Sequence, residues 1–239
     1  MHLNNVNILP EKFPTTEVYP FNLKLFQQTR TVEFTTPVTF FIGENGTGKS
    51  TLLRALANKC GIYIWEFKDI NKFKYNKYEQ DLYKAISIEW ANGSVPGSFF
   101  SSDIFKDFSQ ILDEWAKGDS HILDYFGGES LMNQSHGQSI ISYCRARYKI
   151  KGLYLMDEPE TALSPRSQIA LLEVITQMSQ QGHAQFIICT HSPILLACPN
   201  AMIFSFDSAP IKSIDYEDTE YYRFYRDFMI NRSKYLDSM

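Results

Sequence analysis

No run of 18 apolar residues occurs in the 239-residue chain, and its opening MHLNNVNILPEKFP has neither a basic leader nor an apolar core. The sequence therefore predicts no membrane span, no secretion signal and a cytoplasmic location. Cysteine is scarce: Cys60, Cys144, Cys189 and Cys198 stand too far apart for a zinc-ligand pair, and are expected to be reduced, mostly buried thiols. No fixed-period repeat is present, which excludes solenoids and propellers. Neither sign of charge dominates. With 23 Lys+Arg against 27 Asp+Glu, the net charge of −4 argues against a surface built all round to clamp nucleic acid, although a local basic patch would not show in this average. A hydrophobic content of 44% with 21% charged residues excludes an intrinsically disordered chain.

The patterning is that of alternating strands and helices. Residues 21–42 (FNLKLF, TVEF, PVTFFIG) predict two or three short strands, the last running into a glycine-rich turn. TLLRALANKC (51–60) has helical spacing with Gly61 as its stop. KAISIEWANGSVPG predicts a strand and then a Gly/Pro turn, while 101–118 and 135–150 predict helices flanking a turn at Gly127–Gly128. KGLYLMDEP and AQFIICTHSP are apolar enough for buried strands, and AMIFSFD adds another. Between the first two lies a helix over 164–182, capped by Ser164 with Pro165 in its first turn. The aromatic tail (Tyr216, Tyr221, Tyr222, Phe224, Tyr225, Phe228) is expected to form one or two helices packed back on the core, with a docking surface as the alternative. The fold class is α/β, a mostly parallel sheet covered by helices on both faces, in one domain spanning 1–239.

Gly43-Glu44-Asn45-Gly46-Thr47-Gly48-Lys49-Ser50 fits G-x-x-x-x-G-K-[ST] between a predicted strand and a predicted helix. Glycines let successive backbone N–H groups turn inward on phosphate oxygens, and the helix that follows aims its positive end at the same charge. Lys49 is expected on the β- and γ-phosphates, Ser50 on Mg²⁺ and Thr51 near the α-phosphate. The pattern implies binding of a nucleoside triphosphate.

LYLMDEPE then runs an apolar strand into Asp157 and Glu158. Alone, such a pair could merely cap a turn. Behind a phosphate loop, Asp157 is expected to support Mg²⁺ and Glu158 to polarise the attacking water. His191 ends the next apolar strand. If that strand lies beside the one carrying Asp157, the ring reaches the γ-phosphate as a sensor or hydrogen-bond donor.

These segments resemble the ATP-binding cassette (ABC) ATPase superfamily. Besides GENGTGKST and LYLMDEPE, Ser135-His136-Gly137-Gln138-Ser139 resembles the ABC signature at a helix start. ETALSP (160–165) resembles the D-loop and CTHSP (189–193) the switch-histidine loop, and all fall in family order within residues 38–193. Transporter subunits typically read LSGGQ, DEPTSALD and THD. This chain reads QSHGQ, DEPETALS and THSP, closer to the SMC- and RecF-like recombination, repair and chromosome-structure group. Residues 52–134 contain no sustained a/d heptads, so the resemblance is to a head without a coiled-coil arm, as in small bacterial AAA/ABC-type ATPases.

The resemblance implies an antiparallel β element near the N-terminus, a helical signature region over about 101–150, and hydrolysis of ATP to ADP and phosphate with Mg²⁺. It further implies a head-to-tail homodimer in which Ser135, His136, Gly137 and Gln138 close in trans on the partner's ATP. Serving DNA repair, recombination or foreign-DNA defence with a protein partner follows by analogy, with no membrane association. A slow nucleotide-gated switch and a transporter's nucleotide-binding subunit are the rival readings. For the family's Mg²⁺-linking Q-loop residue, the candidates are Asp103, Gln110 and the SFFSSDIF segment. Tyr19 or Phe21 is the candidate for stacking on adenine.

Overall fold

A computed structural model describes residues 1–65, 76–126, 128 and 130–236. In chain order the strands and helices are β1 (Leu3–Ile8), α1 (Lys24–Gln28), β2 (Thr31–Glu33), β3 (Val38–Ile42), α2 (Lys49–Cys60), β4 (Ile86–Trp90) and β5 (Gly97–Ser101). They continue with α3 (Ser102–Ala116), α4 (His136–Arg147), β6 (Gly152–Asp157), α5 (Pro165–Gln180), β7 (Ala184–Cys189) and α6 (Pro193–Leu196). The last are β8 (Met202–Ser205), β9 (Lys212–Ser213), α7 (Glu220–Ile230) and α8 (Arg232–Leu236).

Six strands form the main sheet in the order β5-β6-β7-β3-β8-β9. All its pairings are parallel except β8 with β9. The mostly parallel sheet expected from the apolar strands is therefore present. β3, β6 and β7 alternate their side chains between two apolar layers with the period of two that a pleated strand imposes. Phe40, Ile42, Tyr154, Met156, Phe186 and Ile188 pack with α3, α4 and α5. Phe41, Leu153, Leu155, Ile187 and Cys189 face the other way, onto α1, α2 and a second sheet. That burial on both faces is why these strands read as unbroken apolar runs.

The second sheet is antiparallel, in the order β2-β1-β4. Buried Gln185 of β7 joins it to the main sheet. Its Oε1 accepts from the N–H groups of His2 (2.7 Å) and Leu3 (2.8 Å), and its Nε2 donates to the Leu3 carbonyl at 2.9 Å. These bonds tie the two sheets together and satisfy a buried amide that would otherwise carry unpaired polar groups.

Three local expectations are corrected. FNLKLF does not contribute a strand: residues 24–28 form α1, with Leu25 and Phe26 buried beside α2. The turn expected after β4 leads directly into β5, an edge strand of the main sheet. The aromatic tail does form two helices, yet α7 buries none of its residues, and Phe224 (52%) and Met229 (77%) are exposed. Only part of the tail touches the core: the Tyr216 hydroxyl donates to the Pro193 carbonyl at 3.0 Å, and Tyr216 and Tyr221 lie against the apolar layer.

Candidate active site

The strand order gathers the predicted site residues at the carboxyl ends of β3, β6 and β7. β7 lies between the other two, and Asp157 pairs in register with Cys189, two positions before His191. Residues 43–48 leave β3 as a tight loop in which Gly43 (φ 140°), Gly46 (φ 82°) and Gly48 (φ 104°) all take left-handed values. At Gly48 a Cβ would also lie 2.8 Å from the Phe26 ring. Thr47 closes the loop by donating its hydroxyl to the Glu44 carbonyl at 2.8 Å, while Asn45 and Gly46 form its tip. The chain then enters α2 at Lys49, so the N-terminal N–H groups of a 12-residue helix open onto the loop.

Lys49 is 4% exposed, and its Nζ donates to the carbonyls of Gly43 (2.6 Å) and Glu44 (2.9 Å). Such a buried ammonium amid backbone donors suits a polyanion. Ser50 follows, its hydroxyl donating to Asp157 Oδ1 at 2.8 Å across the β7 position. A hydroxyl and a carboxylate side by side are hard oxygen donors suited to Mg²⁺. Among the described residues no group of three or more His, Cys, Asp or Glu gathers for a metal.

Among the described residues, Glu158 is one of two non-glycine residues with positive φ, at 47°. Its backbone is pinned on both sides: its N–H donates to the Cys189 carbonyl at 3.0 Å, and its carbonyl accepts from the hydroxyls of Ser102 (3.2 Å) and Thr161 (2.9 Å). A left-handed non-glycine residue costs about 1–3 kcal/mol and persists where surrounding bonds over-determine it, often at sites of chemistry. Its Oε1 lies 3.3 Å from His191 Nε2. The pair lacks hydrogen-bond alignment, and the buried Nε2 has no hydrogen-bond partner. The other side of His191 is fully engaged. Its backbone N–H donates to Glu160 Oε1 at 2.6 Å, and its Nδ1 meets the Tyr221 hydroxyl at 2.6 Å.

Burial raises the Asp157 carboxyl above its ordinary range, against the opposing hydrogen bond from Ser50. The same cause raises Glu160. A raised carboxyl favours the fold below the ordinary carboxylate pKa, and that contribution is lost as pH rises through the shifted value. Wherever it is ionised, Asp157 therefore costs the metal-free protein stability. Asp157→Asn is expected to raise the metal-free unfolding midpoint and to remove the extra shift that Mg²⁺ adds to ATP. Thermal melts with ATP, with and without Mg²⁺, check both halves.

The signature residues stand elsewhere. Ser135 caps α4, its N–H and hydroxyl both directed to Gln138 Oε1 at 3.3 and 2.8 Å. Ser135 and Gln138 are exposed, and α4 packs on α5, where a Cβ on Gly137 would come within 3.3 Å of Ser167 Oγ. His136 is the first residue of α4. Ser135, Gly137 and Gln138 thus present one helix start at the surface rather than joining the phosphate loop of their own chain.

The remaining candidates separate. Phe21 is buried in the core against Phe13, so it offers no face to a base. Tyr19 instead places its hydroxyl on that of Thr51, in the first turn of α2. Asp103 and Gln110 are exposed on α3, whereas the SFFSSDIF segment reaches the site: Ser101 pairs with Asp157, and Ser102 holds the Glu158 carbonyl. Sequence reasoning missed two loop supports. Asp207 accepts from the Glu44 N–H at 2.7 Å, and the Tyr221 hydroxyl donates to the Gly43 carbonyl at 3.0 Å. The polar end of AMIFSFD was a signal for the first. For the second only the aromatic density of the tail was legible.

Comparison with known proteins follows the same geography. A family model described as an AAA domain matches residues 21–81, around the phosphate loop. One described as an AAA ATPase domain matches 130–196, which takes in α4 and His191. The matches support the AAA/ABC ATPase superfamily.

Relatives of this chain include the macrolide export ATP-binding/permease protein MacB of Campylobacter jejuni, 25% identical over 65% of this chain and only 26% of that protein. The tungstate uptake system ATP-binding protein TupC of the same species is 25% identical over 84% of this chain and 67% of its own length. The probable siderophore transport system ATP-binding protein YusV of Bacillus subtilis is 25% identical over 67% and 63%. Among solved structures, a putative metal-chelate type ABC transporter in an inward-facing conformation superposes with TM-score 0.52 at 20% identity, covering 94% of this chain and 88% of that one. An SmcHead bound to the C-winged helix domain of ScpA superposes with TM-score 0.53 at 11% identity, covering 90% and 98%. These two likenesses establish the α/β fold. Among the described residues, no helix is long and apolar enough to cross a membrane.

Proposed function

We propose that the chain is one ATPase domain that hydrolyses ATP to ADP and phosphate as an ATP-dependent head-to-tail homodimer in the cytoplasm. The observation that carries the reading is the convergence on one loop of Lys49, the Ser50–Asp157 pair at 2.8 Å and the Glu158–His191 pair at 3.3 Å. Residues 43–51 cradle the phosphates, with Lys49 exchanging its two carbonyl partners in part for phosphate oxygens. Ser50 and Asp157 hold Mg²⁺, which supplies charge neutralisation on the phosphates when bound. Glu158 accepts a proton from the attacking water as the new oxygen–phosphorus bond forms and the bond to the ADP oxygen breaks. His191 sits beside it at the same reacting centre.

Closure in trans gives the exposed helix start at Ser135, His136, Gly137 and Gln138 its use, since an α-helix N-terminus favours an anion and Ser135 adds a hydroxyl. Ser135→Arg is expected to leave ATP affinity within about twofold while reducing turnover at least about 100-fold, because a long cation at this surface blocks closure without touching the chain's own loop. Calorimetry and phosphate release measured on one preparation test this. Turnover like that of the unaltered protein would rule out the trans site.

The sequence variants QSHGQ, DEPETALS and THSP support DNA repair, recombination or foreign-DNA defence as the work performed, with a partner protein. The transport systems named among the relatives favour a second reading, a transporter's ATP-binding subunit. Stimulation of phosphate release by DNA supports the first. Recovery of the protein with membranes through a permease supports the second.

A further inference from the structure

The tail, outside every motif, reaches the centre of the site through a single hydroxyl. Tyr221 Oη is 3.0 Å from the Gly43 carbonyl and 2.6 Å from His191 Nδ1, and the two rings meet edge to face at 5.3 Å. A phenol has one hydrogen to give, and a carbonyl can only accept. Burial and the nearby carboxylates of Asp207, Glu44, Glu220 and Glu158 hold the phenol well above its ordinary pKa, so the hydrogen stays on. With that hydrogen donated to Gly43, the bond to His191 must be made by a hydrogen on Nδ1.

We propose that Tyr221 is a positioning residue that fixes His191 as its Nδ1–H tautomer, and thereby couples α7 to turnover. In the neutral ring Nε2 then carries a lone pair, and it faces Glu158 with no hydrogen-bond partner of its own. Two acceptors side by side want a donor between or before them. His191 therefore serves the site first as an acceptor for the hydrogen of an entering water, and donates to phosphate only as imidazolium. Holding a histidine in one tautomer through the nitrogen remote from the chemistry is how a buried partner sets catalytic competence in hydrolytic triads.

The anchoring is local to this tail. Thr219, fully buried, caps α7 by accepting from the Tyr222 N–H at 3.2 Å, and Tyr216 ties the preceding turn to Pro193, two residues beyond His191. A displacement of α7 therefore moves the hydroxyl away from His191 and Gly43 together.

The catalytic half of the proposal rests on His191 belonging to the reacting centre, while the tautomer does not. The test uses full-length protein labelled with ¹⁵N-histidine, at about pH 8 where an ordinary imidazole is neutral. His191 is assigned among the five histidines by His191→Gln. Long-range ¹⁵N–¹H correlation is expected to show a protonated Nδ1 in the nucleotide-free protein, and Tyr221→Phe to shift the ring toward Nε2–H. The same variant is expected to lower kcat about 10-fold with KM for ATP within about twofold, the pattern of a group acting through another. Tyr221→Leu, which also loses the ring contact, serves as the packing control. An Nε2–H ring in the unaltered protein overturns the proposal. So does a Tyr221→Phe variant with full kcat when Tyr221→Leu alone is impaired, because only packing is then at stake. Absence of ATPase activity in the unaltered protein would overturn the functional reading instead, and the nucleotide-free spectrum would still decide the tautomer.

Discussion

Lys49→Ala is expected to abolish ATP binding. The ammonium is buried and lies within 2.9 Å of two loop carbonyls, so the fold places a cation inside the loop before any ligand arrives. Charge-assisted bonds to phosphate oxygens are worth roughly 1.5–3 kcal/mol each, and losing two of them weakens binding by at least about 100-fold. The substitution also strips Gly43 and Glu44 of a donor, costing the nucleotide-free protein about 1–3 kcal/mol unless water replaces it. Lys49→Met loses the same donor but keeps the buried stem, so it removes the ammonium without opening a cavity. Calorimetric titration with ATP on variants of known melting midpoint is the measurement. A folded Lys49→Met protein that binds ATP with unaltered affinity would contradict the assignment.

Glu158→Gln carries the second large effect, a fall in kcat of roughly 10²–10⁴ with ATP binding retained. The amide preserves the shape of the side chain and the left-handed backbone that Cys189, Ser102 and Thr161 pin in place, and removes only the capacity to take a proton. Glu160 is the other carboxylate nearby, but its Oε1 is committed to the His191 N–H at 2.6 Å and burial already raises its pKa. Its work is to hold the His191 backbone in position. Single-turnover phosphate release distinguishes the two glutamates. If Glu158→Gln retains turnover within about tenfold while Glu160→Gln loses it, the base has been misassigned.

The parts of this molecule that could be read from sequence are those where one physical cause acts alone. β3, β6 and β7 are covered on both faces, so apolarity by itself marked them. The loop at 43–48 and the cap at Ser164, which accepts from Ser167 N–H at 3.3 Å, follow from backbone requirements that few residue types meet. What stayed hidden depends on partners remote in sequence. β5 looks like a Pro/Gly turn because Gly97 is demanded by closeness, not by a bend: a Cβ there would lie 2.4 Å from the Leu153 carbonyl. β1 is rich in asparagine and its register slips between Leu3 and Asn5, which blurs the alternation that marks a strand. FNLKLF alternates like a strand, yet burying Leu25 and Phe26 together requires a helical turn. Tyr221 sits 178 residues from the carbonyl it touches, and no local pattern announces that.

The central claim is that ATP joins two copies of this head and that Glu158 releases them. Light scattering on a sizing column with Glu158→Gln tests it most directly, since the altered protein binds but does not spend its ligand. The account predicts a mass of 27.7 kDa without nucleotide and twice that with Mg-ATP. An unchanged mass in the presence of bound ATP would contradict it, and would direct the search for the missing half of the site to a different subunit.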